Sequence, residues 1–347
     1  MRLWIFFLTL VSSYALADKE LLVEGFEWRD FYQTYDPVSD SCSRFYEETI
    51  ADQPTPDRIG DVIGYKPLGR TSLPLYIYLP GSFQPVDTEI ARLHVKTMAE
   101  RGYFAVAIRY PNARYPSSCD GTDPDPLRES MMDKARCLFE GSRSDSAVSR
   151  LCQLSDVDCD RDLLVHGFSQ GGQIALMAKT FEPRFRKALI YGAGNFNLIA
   201  KKAYPCTEIQ NNAFQPDDIR SLVGDQDIFF GGSNVLTSLA NVNSRKNLRQ
   251  HRVRTQQTAI TGQPACPWYQ GNCLNPNGSG YYIVRGFETE NNCSNHGFFS
   301  HKAHNPTPCE GKYLRPDRGY VADKSETHRP LYPWSMALSF DWLTARD

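Results

Sequence analysis

Residues 163–181, LLVHGFSQGGQIALMAKTF, contain the local pattern on which the fold prediction depends. The opening residues, LLVHGF, form a short apolar run typical of a buried strand, and Gly171 to Phe181 have the composition of a helix. Between them lies a G-x-S-x-G motif, Gly167-Phe168-Ser169-Gln170-Gly171. A strand-to-helix junction turns tightly, and glycine on either side of Ser169 removes side chains that would collide there. The motif predicts a serine hydroxyl held above the sheet. A simple helix N-cap role for Ser169 is the alternative.

Short apolar runs alternate with helical patterns along the rest of the chain. Strands are predicted at 75–79 (LYIYL), 104–109 (FAVAIR), 163–168, 187–191, 221–223 and 281–284, and helices at 87–101, 171–181 and 334–343. This alternation predicts an α/β fold with a mostly parallel central sheet flanked by helices. Residues 18–70 are expected to supply an antiparallel edge, because the segment 59–65 (IGDVIGY) lies shortly before the LYIYL strand.

The segment LLVHGFSQGGQIALMA resembles the nucleophile elbow of the α/β-hydrolase superfamily. The order of predicted elements from about residue 58 to the C-terminus is also similar to the order of that fold, so the resemblance covers most of the chain. The general likeness is to secreted esterases of the feruloyl esterase, polyhydroxyalkanoate depolymerase and dienelactone hydrolase kind. It implies a serine hydrolase that forms an acyl-enzyme on Ser169, needs no cofactor, and cleaves a small-molecule or polymeric ester.

The resemblance also implies an acid downstream of the serine. A serine hydroxyl is a poor nucleophile until a histidine accepts its proton, and a carboxylate must orient that histidine. In this superfamily the three residues follow the order Ser, acid, His. The run 221–223 leads into GDQD at 224–227, which resembles the family's G-x-x-D pattern and points to Asp227. Asp225 is the alternative acid, and a plain solvated turn is the non-catalytic interpretation.

The base is predicted at His296, which comes after the apolar run 281–284 where the family places its histidine. His301 and His304 are alternatives, although neither follows the run as directly. For each of these histidines, the non-catalytic interpretation is a surface or structural role. His166, three residues before Ser169, is expected to belong to the strand and its packing.

Ester cleavage places negative charge on the carbonyl oxygen in the transition state, so two backbone N–H groups must point to it. One predicted donor is Gln170, the residue after the nucleophile. Residues 79–83, LPGSF, resemble the family's His-Gly-x turn, with Pro80 in the histidine position. Ser82 is the predicted second donor and Phe83 the alternative.

The N-terminus has the layout of a cleaved signal peptide, with Arg2, an apolar run at 3–11 and the small-residue site Ala15-Leu16-Ala17. The mature chain is then expected to be residues 18–347, a single α/β-hydrolase domain with a disulfide-braced insertion at about 252–280. No later segment has the ~20 apolar residues that cross a bilayer. A secreted or periplasmic protein without a transmembrane segment is expected.

All ten cysteines lie after residue 17, which fits an oxidising compartment. Cys152 with Cys159, Cys266 with Cys273, and Cys293 with Cys309 are hypothetical local pairs. The region 293–309 also contains three histidines, but the spacing of its Cys and His residues matches no common zinc pattern, and no metal is expected.

The formal net charge of the chain is −2, so the protein has no excess of positive charge to attract a polyanion. No nucleic acid is therefore expected as a partner.

Two other functions fit the same scaffold. A serine peptidase would use the same three residues on an amide. A non-catalytic binding protein with a hydrolase fold is the second alternative, because a fold alone does not fix a function. The intact order of Ser169, Asp227 and His296 speaks against the second, since loss of chemistry usually leaves one of these positions replaced.

Overall fold

The computed structural model describes part of the chain. The described residues are 21–29, 31, 34–36, 41–44, 47–48, 57–58, 60–112, 115–116, 118–119, 130–194, 196–197, 202–207, 213–215, 218–224, 227, 229, 280–284, 296 and 336–346. The predicted signal peptide and nearly all of the predicted insertion at 252–280 lie outside these residues.

The described strands and helices alternate through most of the chain. The strands are β1 (Val23–Trp28), β2 (Thr34–Asp36), β3 (Ser41–Arg44), β4 (Glu47–Glu48), β5 (Asp57–Arg58), β6 (Val62–Pro67), β7 (Leu75–Leu79), β8 (Phe104–Ile108), β9 (Leu163–Phe168), β10 (Phe185–Tyr191), β11 (Phe196–Asn197), β12 (Lys202–Ala203), β13 (Ile219–Gly224) and β14 (Gly280–Val284). The helices are α1 (Glu89–Glu100), α2 (Met131–Phe139), α3 (Ala147–Cys152), α4 (Gln170–Leu176), α5 (Ala178–Phe181) and α6 (Met336–Thr344), with a 3₁₀ turn at Pro205–Thr207.

Within the described residues, one sheet of eight strands organises the fold. Its spatial order is β1-β6-β8-β7-β9-β10-β13-β14. Six neighbouring strands of this sheet run parallel: β8, β7, β9, β10, β13 and β14. Strand β1 pairs antiparallel with β6, and β6 pairs antiparallel with β8. This order confirms the predicted α/β-hydrolase fold, and the antiparallel pairs confirm the edge expected from residues 18–70.

Helices cover both faces of the sheet because the strands are apolar on both sides. In β7, Ile77 packs in the cluster that includes α2, α3 and α4, whereas Tyr76 and Tyr78 pack in the cluster that includes α1 and α6. Successive side chains of a strand point to opposite faces, so a strand buried on both faces is a continuous apolar run. The runs LYIYL and FAVAI therefore predict central strands rather than edge strands.

The predicted helix at 171–181 is wrong in one respect, because two helices occupy this stretch. Helix α4 ends at Leu176 and α5 begins at Ala178. At Met177 the backbone N–H donates to the carbonyl of Ile174, three residues back, which tightens the turn. The apolar periodicity continues through this break, so the pattern alone predicted a single helix. Helices α2 and α3 were not predicted from the sequence.

Among the described cysteines, three disulfides form. The predicted pair Cys152–Cys159 is confirmed. The other two are Cys42–Cys137 and Cys119–Cys206, which join residues 95 and 87 positions apart in sequence. Local spacing could not predict these long-range pairs. The hypothetical pairs Cys266 with Cys273 and Cys293 with Cys309 lie outside the described residues.

The interpretation of His166 as a packing residue is confirmed. Its side chain is fully buried on β9, where the Tyr76 hydroxyl lies 2.8 Å from His166 Nδ1. The rings of His94 and Tyr191 each lie 4.6 Å from the His166 ring, centroid to centroid. Burial lowers the pKa of His166 well below 6.5, and the neighbouring His94 lowers it further.

The depressed pKa of His166 predicts a loss of stability in acid. Below about pH 6.5 the unfolded chain binds a proton at this residue that the folded chain does not bind, so stability falls as pH falls. One such residue contributes up to about 1.4 kcal/mol per pH unit. Urea unfolding at pH 7.5 and pH 5.0 should therefore show a smaller pH-dependent loss in His166→Gln than in the wild type. The same loss in both proteins would contradict this account.

Candidate active site

Ser169 lies at the turn between β9 and α4 in an unusual backbone conformation. Its φ is +54° and its ψ is −121°. The Ser169 N–H donates to the carbonyl of Tyr191 at 2.8 Å, which holds the turn against the end of β10. The hydroxyl makes no hydrogen bond to the helix N-terminus, so the alternative of a simple N-cap is wrong. A positive φ at a residue other than glycine is strained, and such strain is found most often at functional sites.

The glycines of the motif are required because backbone segments approach closely here. A Cβ atom at Gly167 would lie 2.2 Å from the carbonyl oxygen of Gly171. A Cβ atom at Gly171 would lie 2.4 Å from the carbonyl oxygens of Leu79 and Pro80. These neighbours are backbone atoms, which cannot rotate away as a side chain can. The sequence argument for glycine at both positions therefore has a direct steric basis.

One imidazole connects the serine to a carboxylate. His296 Nε2 lies 2.9 Å from Ser169 Oγ, and His296 Nδ1 lies 2.7 Å from Asp227 Oδ2. The other Asp227 oxygen accepts the backbone N–H of Phe229 at 2.8 Å. A carboxylate at Nδ1 favours the tautomer with the proton on that nitrogen, which leaves the Nε2 lone pair directed at the hydroxyl. This arrangement is able to take a proton from the serine.

The three side chains are largely enclosed. Ser169 is 7% exposed, His296 is 8% exposed and Asp227 is 2% exposed. The His296 ring packs against Phe168 at 4.8 Å and Phe229 at 4.7 Å, centroid to centroid. Low local polarity strengthens hydrogen bonds between charged and polar groups, and the aromatic contacts hold the ring in its orientation.

The structure brings together the serine, acid and histidine that the sequence analysis preferred. The alternatives Asp225, His301 and His304 lie outside the described residues. Of the region 293–309 that raised the question of zinc, His296 is the described member, and both its ring nitrogens contact Ser169 or Asp227. The catalytic roles of these residues remain predictions.

The turn after β7 lies beside the serine. A Cβ atom at Gly81 would lie 3.1 Å from Ser169 Cβ, so little space separates the two segments. The Phe83 N–H donates to the carbonyl of Asn112 at 3.1 Å. The backbone N–H of Phe83, the alternative donor, is therefore already paired, and Ser82 remains the predicted second donor. Gln170, the other predicted donor, is the first residue of α4, whose N-terminal N–H groups have no intrahelical partners.

Sequence analysis missed Asn112, a residue that fixes this turn. Its buried side-chain amide donates to the carbonyls of Gly81 at 2.7 Å and Gln84 at 2.8 Å. The Tyr110 hydroxyl donates to the carbonyl of Pro80 at 2.8 Å and holds the same turn. The only available signal was the position of Asn112 just after the strand FAVAI, at the edge of the sheet where β9 also ends. We infer a positioning role, since its contacts are to the turn.

Two features are absent from the described residues. They contain no group of three or more His, Cys, Asp or Glu side chains arranged to hold a metal ion. They also contain no helix with the length and apolar character needed to span a membrane.

The chain was compared with known proteins. A scan against protein-family models gave no match, and a search of the curated proteins gave none. Among solved structures, it is similar to a protein assigned as a dienelactone hydrolase from Klebsiella pneumoniae, with 15% identity, a TM-score of 0.38, and coverage of 76% of this chain and 85% of that chain. It is also similar to esterase B from Lactobacillus rhamnosis (14% identity, TM-score 0.39, coverage 66% and 72%). TT1662 from Thermus thermophilus has 15% identity, a TM-score of 0.39, and coverage of 87% and 99%. The assignment of the fold comes from the strand order of the chain itself.

Steric contact at the motif predicts that Gly171→Ala is destabilising. The new Cβ would meet two backbone carbonyls, so the turn or the helix must shift, at a cost of about 1–3 kcal/mol or more. Gly25→Ala is the matched control, because its Cβ would meet the edge of the Tyr65 ring at 3.0 Å, and a ring can move. Urea unfolding should show a loss below about 1 kcal/mol for the control. Equal losses would contradict the steric account.

Proposed function

We propose that this protein is a serine hydrolase that cleaves carboxylic esters through an acyl-enzyme on Ser169. The observation that carries the proposal is the continuous hydrogen-bonded series from Ser169 through His296 to Asp227. A buried serine, imidazole and carboxylate in this order form the arrangement that activates a hydroxyl as a nucleophile. The strained conformation of Ser169 gives independent support.

In the proposed reaction, Ser169 Oγ attacks the carbonyl carbon while His296 Nε2 takes its proton. The Asp227 carboxylate holds the ring and stabilises the imidazolium that forms. His296 then returns the proton to the leaving alcohol as the ester bond breaks. Water attacks the acyl-enzyme in a second half-reaction in which His296 again accepts and returns a proton. No cofactor takes part in these steps.

The negative charge of the tetrahedral intermediate needs donors that are already in place. We assign this role to the backbone N–H groups of Gln170 and Ser82. Hydrogen bonds from Asn112 to the turn that contains Ser82 support the assignment, because they fix the backbone before substrate arrives. Removal of one such donor typically lowers kcat by roughly 10²–10³-fold.

We also propose that the protein acts outside the cytoplasm as one domain of residues 18–347, after removal of residues 1–17. The three disulfides of the described residues support this location, because such bonds persist in oxidising compartments. Two of them close long loops of the chain, and closing a long loop removes the most conformational entropy from the unfolded state.

Ser169→Ala should abolish hydrolysis of p-nitrophenyl acetate, because no other group would form the acyl-enzyme. A fall in kcat of at least about 10⁴-fold is expected. Circular dichroism and thermal unfolding of the variant should match the wild type, since the hydroxyl makes no helix-capping bond. Retention of wild-type turnover by a correctly folded variant would eliminate the mechanism.

Replacement of the two candidate acids separates their roles. Asp227→Asn should lower kcat on the same ester by roughly 10³–10⁴-fold, because an amide no longer stabilises the imidazolium or selects its tautomer. Asp225→Asn is the matched control and should change kcat by less than about tenfold. A large loss in the Asp225 variant with near-normal turnover in the Asp227 variant would transfer the acid role to Asp225.

A further inference from the structure

A cleft of about 390 Å³ opens at the edge of the sheet opposite Ser169. It lies where the parallel strands β7, β8 and β9 begin, since its lining includes Pro74, Tyr103 and Arg161. Ser169 follows the other end of β9. Six residues of strand span roughly 20 Å, so the cleft and the proposed active site are separate places on the molecule.

The cleft is strongly cationic. Among the described residues, four arginines line it, and we call it the arginine cleft after Arg70, Arg101, Arg161 and Arg346. Two threonines contribute to its lining, and the described lining residues include no Asp or Glu. The chain as a whole has a formal net charge of −2, so this concentration of positive charge is a local feature and not a consequence of overall composition.

In the part of the chain that the structure describes, a carboxylate pairs with one of these four cations. Arg101 forms an ion pair with Asp341, a half-exposed residue, at 3.0 Å. Within the described part of the chain, Arg70, Arg161 and Arg346 form no ion pair. Arg161 donates to the carbonyl of Ser72 at 3.3 Å, which holds its guanidinium in place without neutralising it.

The buried carboxylate of Asp162, which contacts the lining residue Tyr103, does not offset the charge of the cleft either. Asp162 accepts a hydrogen bond from the Tyr103 hydroxyl at 2.7 Å. Both its oxygens also accept from the Arg186 guanidinium, at 2.7 and 2.8 Å. The charge of Asp162 is therefore already paired with Arg186.

The arginines that line one cleft repel one another, and an anion bound among them would relieve that repulsion.

We propose that the arginine cleft binds a phosphate or sulfate group. The planar guanidinium donates two parallel N–H groups to a pair of oxygens, which matches tetrahedral oxyanions. Thr71 also lines the cleft, and its hydroxyl is a further donor type for an oxyanion, whereas the Thr344 hydroxyl donates to the carbonyl of Phe340 at 2.8 Å. This site is distinct from the proposed hydrolytic centre and does not depend on it.

Exposed apolar residues beside the cleft are compatible with a phosphate that is carried by a lipid. Leu22 is 77% exposed and Leu68 is 49% exposed, and the Leu68 N–H donates to the Leu22 carbonyl at 2.9 Å. Leu21 lines the cleft itself, and Arg70 follows Leu68 by two positions. Cations next to exposed leucines suit the headgroup of an anionic lipid as well as a free anion.

Isothermal titration calorimetry with inorganic phosphate and with inorganic sulfate, at ionic strength fixed with sodium chloride, tests the site on the full protein. The triple variant Arg70→Gln/Arg161→Gln/Arg346→Gln removes the three cations that lack a carboxylate partner. Glutamine keeps a side-chain donor near the Ser72 carbonyl. Binding of the anion by the triple variant should be weaker by about tenfold or more.

A second triple variant controls for overall charge. Arg29→Gln/Arg92→Gln/Lys96→Gln also removes three positive charges, all from side chains that do not line the cleft. Its affinity for the anion should differ from the wild type by less than about twofold. Both variants should hydrolyse p-nitrophenyl acetate as the wild type does, which shows that they are folded independently of anion binding.

Sedimentation with vesicles identifies the source of the anion. Vesicles of phosphatidylcholine with phosphatidic acid are compared with vesicles of phosphatidylcholine alone. Binding that needs phosphatidic acid and is lost in the cleft variant assigns a lipid headgroup, and saturable binding of free phosphate or sulfate that is lost in that variant assigns a soluble ligand. Absence of binding in both experiments, or equal losses in the two triple variants, would overturn the proposal.

Discussion

The close approach of two backbone segments at Gly167 and Gly171 is the constraint on which the rest of the site depends. With any larger residue at either position, a Cβ atom would lie within 2.4 Å of a backbone carbonyl oxygen. Because both positions are glycine, the chain reverses direction at Ser169 with a φ of +54°. A positive φ outside glycine costs about 1–3 kcal/mol. The hydrogen bond from the Ser169 N–H to Tyr191 and the packing of the glycines offset that cost.

The parallel sheet converts this local turn into a site. Ser169 and His296 are 127 residues apart in sequence, and His296 and Asp227 are 69 residues apart. Strands β9, β13 and β14 run parallel, so the chain leaves each of them at the same edge of the sheet, where ligands bind in open α/β folds. Stability and reactivity are thus divided between two regions: buried apolar strands fix the framework, and the loops at one edge carry the polar groups. The arginine cleft at the opposite edge is consistent with a second, independent use of the same framework.

Sequence patterns predicted the central strands well because those strands are buried on both faces and therefore appear as uninterrupted apolar runs. Leu163–Phe168 and Leu75–Leu79 have the predicted bounds. The break at Met177 was missed because hydrophobic periodicity continues through it, and the pairing of Cys42 with Cys137 was missed because loop closure over 95 residues leaves no local signal. In the site, chain order and motif spacing selected residues that do meet in space. Asn112 could not be found this way, because its contacts are to backbone carbonyls that any sequence possesses.

The central claim is that Ser169 is a nucleophile made reactive by its contact with His296. Incubation of the folded protein with a fluorophosphonate, followed by proteolysis and mass spectrometry, measures this directly, because the probe forms a covalent bond only with an activated hydroxyl. The account predicts one phosphonyl adduct, located on Ser169, with loss of labelling when the protein is unfolded or when His296 is replaced by alanine. An unlabelled native protein, or an adduct on another residue with Ser169 unmodified, would contradict it.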